Sequence, residues 1–148
     1  MSYEEPTEGP MSYEEKNTWV FGAIAPIGYL TYLVLTFITG PGPLAETSYV
    51  WPMVGTILGA IVVGILAGIV VGILNPKDAG KADQRDREIS WLGERVGNSF
   101  VVIGGVGALI LCFVQAPHTY IANLLYLCFV ISAIIGSMAK LAAYRRGF

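Results

Sequence analysis

The chain has 148 residues, of which 54% are hydrophobic and 14% charged, and its formal net charge is −2. Its mean hydropathy is +0.60, whereas an average soluble domain is about one quarter charged. Length and charge together indicate one membrane-type domain, and a near-neutral balance with no basic patch excludes nucleic acid as a partner.

The first ten residues, "MSYEEPTEGP", are followed by "MSYEEKNTWV", so Met-Ser-Tyr-Glu-Glu recurs at a spacing of ten. A repeat this short builds no solenoid. The acidic, Pro- and Gly-bearing stretch 1–18 is expected to be a mobile tail, with 19–148 forming the helical domain. Two readings of the start stand open, Met1 or Met11 with residues 1–10 as an extension.

No charge occurs from Asn17 to Ala45. A spanning helix needs about 20 mostly apolar residues, which places a first span near 19–38. A secretory leader fits poorly: the residues before the span are acidic (Glu4, Glu5, Glu8, Glu14, Glu15), and the apolar run is long for that role. Pro26 is expected to bend this helix, and with Gly22 and Gly28 it makes either a hinge or only a packing accommodation.

The next charge-free run, Thr47 to Pro76, places a second span near 50–74, long enough to tilt. It contains Gly55 and Gly59, then Gly64, Gly68 and Gly72. Small residues four apart let helices approach closely in lipid. At about 100° per residue, Gly59 lies about 40° from Gly55, while the other three lie near 180°, 220° and 260°. The second helix is therefore expected to pack between two neighbours, one of them the first helix or the later hairpin, the other a second copy.

Residues 75–96 form a charged connection. Lys77 to Arg95 holds ten of the chain's twenty charged side chains, five of each sign. From Asp83 it reads as a short amphipathic helix on the inner membrane face, capped by Asp83 with Asp86 in the first turn. Ile89, Leu92 and Val96 recur on one side. Asp83 and Arg87 are spaced as an acid–base pair, and Arg87 and Arg95 each lie four residues from Trp91, within reach of a cation–π contact. Asp83, Arg85, Asp86, Arg87, Glu88, Trp91 and Arg95 make a candidate docking surface for a cytoplasmic or membrane partner. Basic neighbours around the carboxylates favour ion pairing over metal binding.

The last charge-free run, Val96 to Ala139, is too long for one span. Pro117 interrupts it, and Ala116 before it is pushed away from helical geometry. A helical hairpin is expected, near 97–114 and 120–139. Gly97, Gly104 and Ala108 share a stripe on the third span, with Gly105 and Gly107 nearby, and Ser132 and Gly136 carry the same spacing on the fourth. Cys112 and Cys128 read as small apolar residues.

Lys and Arg collect in cytoplasmic loops. Lys16 precedes the first span, five cations lie in the charged connection, and Lys140, Arg145 and Arg146 follow the fourth span. The connections at 39–49 and 115–119 contain none. All nine cations then lie on one side, with both termini cytoplasmic. Trp19, Trp51, Trp91, Tyr49, Tyr120 and Tyr144 fall at or near span ends, where aromatic rings concentrate.

No Asp, Glu, Lys or Arg lies inside any span. Coupled transporters keep an ionisable residue at membrane depth, so coupled transport is not expected. There is no nucleophile–base arrangement, phosphate-binding glycine loop or CxxC, and His118 is alone in the outer turn. No catalytic residue, metal or cofactor is expected.

The stretches "KADQRDREISWLGERVGNSFVVIGGV" and "YIANLLYLCFVISAIIGSMAKLAAYRRGF" resemble a family of small four-helix membrane proteins from actinobacteria. Asp83 to Ile89, Ser99 to Gly104 and Ala143 to Phe148 carry the likeness, which extends from about Met11 onward. The resemblance implies a four-helix fold in a bacterial plasma membrane and adds no catalytic residue. The combined expectation is an all-α membrane protein with four transmembrane helices and a short amphipathic cytoplasmic helix between the second and third. It would be a non-catalytic protein that self-associates or accompanies a larger membrane or cytoplasmic partner. The alternative is a small oligomeric channel or facilitator with Thr31, Thr36, Asn123 and Ser132 along its path.

Overall fold

The computed structural model describes residues 11–40, 42 and 48–146, and within them the chain forms four helices. These are α1 (Tyr13–Thr39), α2 (Val50–Leu74), α3 (Gln84–Phe113) and α4 (His118–Arg146). Each is long and apolar enough to cross a membrane. A helix satisfies its own backbone hydrogen bonds, the condition for crossing lipid with no sheet edge to cover. Residues 1–10 of the expected tail, and most of the 39–49 connection, lie outside the described residues.

α1 begins six residues before the expected span. Ser12 caps it, its hydroxyl accepting from the Glu15 amide at 3.2 Å, and Glu14 and Glu15 occupy the first turn. Carboxylates there meet the positive end of the helix dipole, so residues 13–18 of the expected tail are helical. Pro26 sits inside α1 and supplies no amide proton to the Gly22 carbonyl.

No separate amphipathic helix stands between α2 and α3. Residues 75–83 form turns and extended chain, and residues 84–96 are the first turns of α3 itself. At 30 residues, α3 runs about 45 Å, well beyond a hydrocarbon core of about 30 Å. The charged turns therefore continue the span's axis. Asp83 starts the helix with a reciprocal capping box. Its carboxylate accepts from the Asp86 amide at 2.8 Å, and Asp86 Oδ2 accepts from the Asp83 amide at 3.2 Å. At the other end of α3, Gln115 adopts a left-handed conformation (φ 54°) and Pro117 immediately precedes α4, which turns the chain back in four residues.

The extensive interfaces are α3 with α4, α1 with α2 and α1 with α4. In spatial order the helices run α2, α1, α4, α3. The up-and-down connectivity brings the start of α1, the end of α2, the start of α3 and the end of α4 to one end, where all nine cations gather. At that end Lys16 Nζ donates to Asn75 Oδ1 at 2.7 Å, Arg85 donates to the Tyr144 carbonyl at 3.3 Å, and the Arg145 guanidinium lies 5.7 Å from the centre of the Trp19 ring.

Candidate functional site

The α3–α4 seam is built on missing side chains. Ile89, Gly93, Gly97, Gly104 and Ala108 are buried along one stripe of α3. A Cβ at Gly97 would lie 2.9 Å from the Ser132 carbonyl oxygen, and one at Gly104 would lie 2.6 Å from Cys128 Cβ. At Gly136 it would lie 3.0 Å from the Gly93 carbonyl oxygen. Lipid supplies no hydrophobic drive between helices, so such backbone proximity, with its dense dispersion contacts, holds the pair together. Gly93 was not singled out among the packing glycines, yet it faces both Gly136 and the stem of Lys140. Its spacing four before Gly97 carries that signal. Gly22 on α1, read as part of a hinge or as a packing accommodation, lies at a close α1–α4 contact: a Cβ there would stand 2.8 Å from Ser137 Cβ.

The glycines of α2 divide by face. Gly64 and Gly68 meet the Phe21 ring, and Gly72 meets the Tyr13 hydroxyl, all on α1. Gly55 and Gly59 have nothing within 4 Å of the Cβ position. Only Met53, Thr56 and Gly64 are buried on α2. Gly105 on α3 is also open, whereas Gly107 abuts Leu124.

A tyrosine cluster joins α1, α2 and α4 toward the end remote from the charge. Tyr32 is fully buried. The Tyr126 ring packs edge-on at 5.2 Å from Tyr32 and 5.3 Å from Tyr29, a favoured aromatic geometry. Tyr32 donates its hydroxyl proton to Asn123 Oδ1 at 2.6 Å. Thr56 Oγ1 reaches the Pro52 and Met53 carbonyls at 2.9 and 3.1 Å and the Tyr126 hydroxyl at 3.3 Å. A threonine has one hydroxyl proton, and the carbonyls take it, so Tyr126 is the donor to Thr56. Thr36 Oγ1 is buried with no hydrogen-bond partner among the described residues. It lines a cavity of about 50 Å³ together with Tyr32 and Asn123.

Of the docking candidates, Asp83, Arg85, Arg87, Glu88, Trp91 and Arg95 are exposed, and Asp86 is half-buried. Three expected pairings do not form. Asp83 is committed to its cap, so no ion pair joins it to Arg87, and neither Arg87 nor Arg95 stacks on Trp91. Among the described residues, the cation–π contact is instead Arg145 with Trp19. Asp86 accepts a hydrogen bond from the Tyr144 hydroxyl at 2.9 Å. Tyr144 lies beyond the apolar run 120–139. Burial, and then the neighbouring Asp86 carboxylate that holds its proton, push its phenol above the ordinary tyrosine range.

The channel candidates lie apart. Thr31 is exposed and bonded to the Ile27 carbonyl, Ser132 sits against Gly97, and only Thr36 and Asn123 share a cavity. Among the described residues no three His, Cys, Asp or Glu side chains cluster as metal ligands.

A groove of about 1190 Å³ is lined by all four helices, with α1 and α4 behind it and α2 and α3 at its sides. Its walls are apolar, with Phe21, Ile57, Ile61 and Phe129 among them, and Arg95, Asn98 and Lys140 edge the charged end.

Comparison with protein-family models, with curated proteins and with solved structures finds no match to this chain in any of the three.

Proposed function

We propose that this chain is a non-catalytic integral protein of a bacterial plasma membrane. In this reading it works by association, with itself or with a larger membrane or cytoplasmic partner. The observation that carries the reading is the open face of α2 at Gly55 and Gly59, where nothing lies within 4 Å of a Cβ. It is opposite the face that α2 uses against α1. Close helix approach is a main source of attraction in lipid, and this face offers it unused. Native mass measurement after mild solubilisation tests the idea, with Gly59→Ile as the perturbation. The expected result is an oligomer or a copurifying partner that Gly59→Ile releases. A lone monomer without companions would defeat it.

In this reading both termini are cytoplasmic, which the nine cations gathered at one end support. An impermeant amine label added to intact cells is expected to leave Lys81 and Lys140 unmodified, and labelling of either reverses the orientation. The first turns of α3, with Arg85, Arg87, Glu88 and Trp91 exposed, supply a surface for a cytoplasmic partner at the inner membrane face.

A small oligomeric channel has less support. Thr31, Thr36, Asn123 and Ser132 would have to line one path, yet Thr31 is exposed and Ser132 sits in the α3–α4 seam.

A further inference from the structure

We infer that the groove between α2 and α3 is a binding site for one anionic phospholipid of the leaflet that faces the charged end. Inside a bilayer an apolar concavity of about 1190 Å³ is filled by hydrocarbon or by protein, and its dimensions choose between them. The lining on α4 runs from Lys140 to Tyr126, which at 1.5 Å per residue is about 21 Å. At Tyr126 the groove ends against α2, where the Tyr126 hydroxyl meets Thr56 at 3.3 Å and Tyr32 and Met53 pack alongside. A spanning helix of a second copy needs about 30 Å of hydrocarbon depth and would run into this closure. Half of a bilayer of about 40–45 Å, headgroups included, is about 20–22 Å, which is the reach of a single lipid from headgroup to chain end.

Charge selects the headgroup. Arg95 and Lys140 edge the groove where it meets the charged end, and no ion pair joins either to a carboxylate among the described residues. Glu94 is also there, which leaves one net positive charge beside a phosphate. The Lys140 stem crosses α3 over Gly93, where any larger residue would displace it, and so its ammonium stays at the groove edge at headgroup depth. Basic pockets between helices at the cytoplasmic interface suit anionic headgroups. Apolar walls such as Phe21, Ile61 and Phe129 then take the acyl chains. The face of α2 involved is not the one that carries Gly55 and Gly59, so the lipid site stands independently of self-association.

Trp91 lines the groove at its charged end and reports occupancy. The full chain, with Trp19→Phe and Trp51→Phe, is reconstituted in phosphatidylcholine vesicles containing a minor fraction of either phosphatidylglycerol or phosphatidylcholine brominated near the glycerol backbone. Trp91 is expected to be quenched more strongly by the brominated phosphatidylglycerol at equal mole fraction. Arg95→Gln with Lys140→Gln is expected to abolish that excess. Lys77→Gln with Lys81→Gln, an equal loss of charge outside the groove, is expected to keep it. Equal quenching by the two lipids in the unmodified groove overturns the assignment, as does equal loss in both double variants, which would mean only general attraction to a basic end.

Discussion

Replacing Gly97 by alanine sets two opposing effects against each other on one helix. A Cβ at Gly97 would stand 2.9 Å from the Ser132 carbonyl oxygen, 0.5 Å short of the 3.4 Å at which ordinary contact begins. The obstacle is backbone, so α3 and α4 must part by about half an ångström along the seam. Overpacking of this kind costs about 1–3 kcal/mol. Alanine in place of glycine inside a helix returns about 0.8–1 kcal/mol. Gly105, the residue after Gly104 and on the open side, has nothing within 4 Å, so Gly105→Ala receives the same gain with no clash. Gly97→Ala is therefore expected to be less stable than Gly105→Ala by about 1–3 kcal/mol. Reversible unfolding in mixed micelles, followed by circular dichroism, measures the difference. Equal stabilities, or a more stable Gly97→Ala, would refute the packing account of the α3–α4 seam.

Asp83→Ala removes the cap of α3 and is expected to cost about 1 kcal/mol, seen as faster amide exchange confined to the first turn after Gln84. Tyr144→Phe loses the 2.9 Å bond to Asp86, a loss of about 1 kcal/mol for a half-buried pair, read as loosening of the last turns of α4 in the same exchange experiment. Because the Tyr144 phenol is raised in the fold, its contribution is complete below the unfolded tyrosine value near 10. It declines as pH climbs from there toward the folded value, and Tyr144→Phe is expected to lose that alkaline dependence. Tyr126→Phe removes the donor to Thr56. Hydrogen bonds between membrane helices average only about 0.6 kcal/mol, so a stability loss above about 2 kcal/mol would mean that the tyrosine cluster holds α2 by more than this bond. Gly68→Ile places bulk where the Phe21 ring already stands 4.0 Å from the Cβ position and is expected to loosen α1 from α2, measured as lost protection in both helices. Unchanged protection would show that this contact is not maintained in lipid.

Several particulars of the fold were legible in advance. The charge-free runs located all four helices, and Gln115 to His118 located the tight turn, because a proline and a change of polarity interrupt an otherwise continuous apolar stretch. Asp83 and Asp86 announced a helix start through capping chemistry, although as that of a separate short helix and not of α3 itself. The same chemistry at Ser12 and Glu15 was passed over, so α1 begins earlier than expected. Periodicity could identify an amphipathic helix after Asp83 but not whether a bend separates it from the span. The absence of any break between Glu94 and Gly97 lets one helix run through both.

Particular side-chain partners were harder to read. Asp83 was spaced correctly for Arg87, but a carboxylate at an N-cap already has a donor in the Asp86 amide. Trp91 had two arginines in range along its own helix, yet the arginine that stacks on a tryptophan comes from α4 and reaches α1. Gly97 and Gly55 look alike as small residues in apolar surroundings. One nearly touches a neighbouring backbone, and the other faces open space.

What the sequence by itself determined is the number of helices, their approximate limits and the end at which charge collects. Hydrocarbon punishes an unpaired backbone group or an isolated charge so heavily that both are written directly into composition. Only the tertiary structure decided that α1 lies between α2 and α4, that Tyr32, Tyr126 and Thr56 close one end, and that α2 and α3 flank a groove. Lipid is nearly as apolar as a leucine side chain, so hydrophobicity does not say which face of a spanning helix meets protein. That choice rests on shape, which exists only once the helices are together.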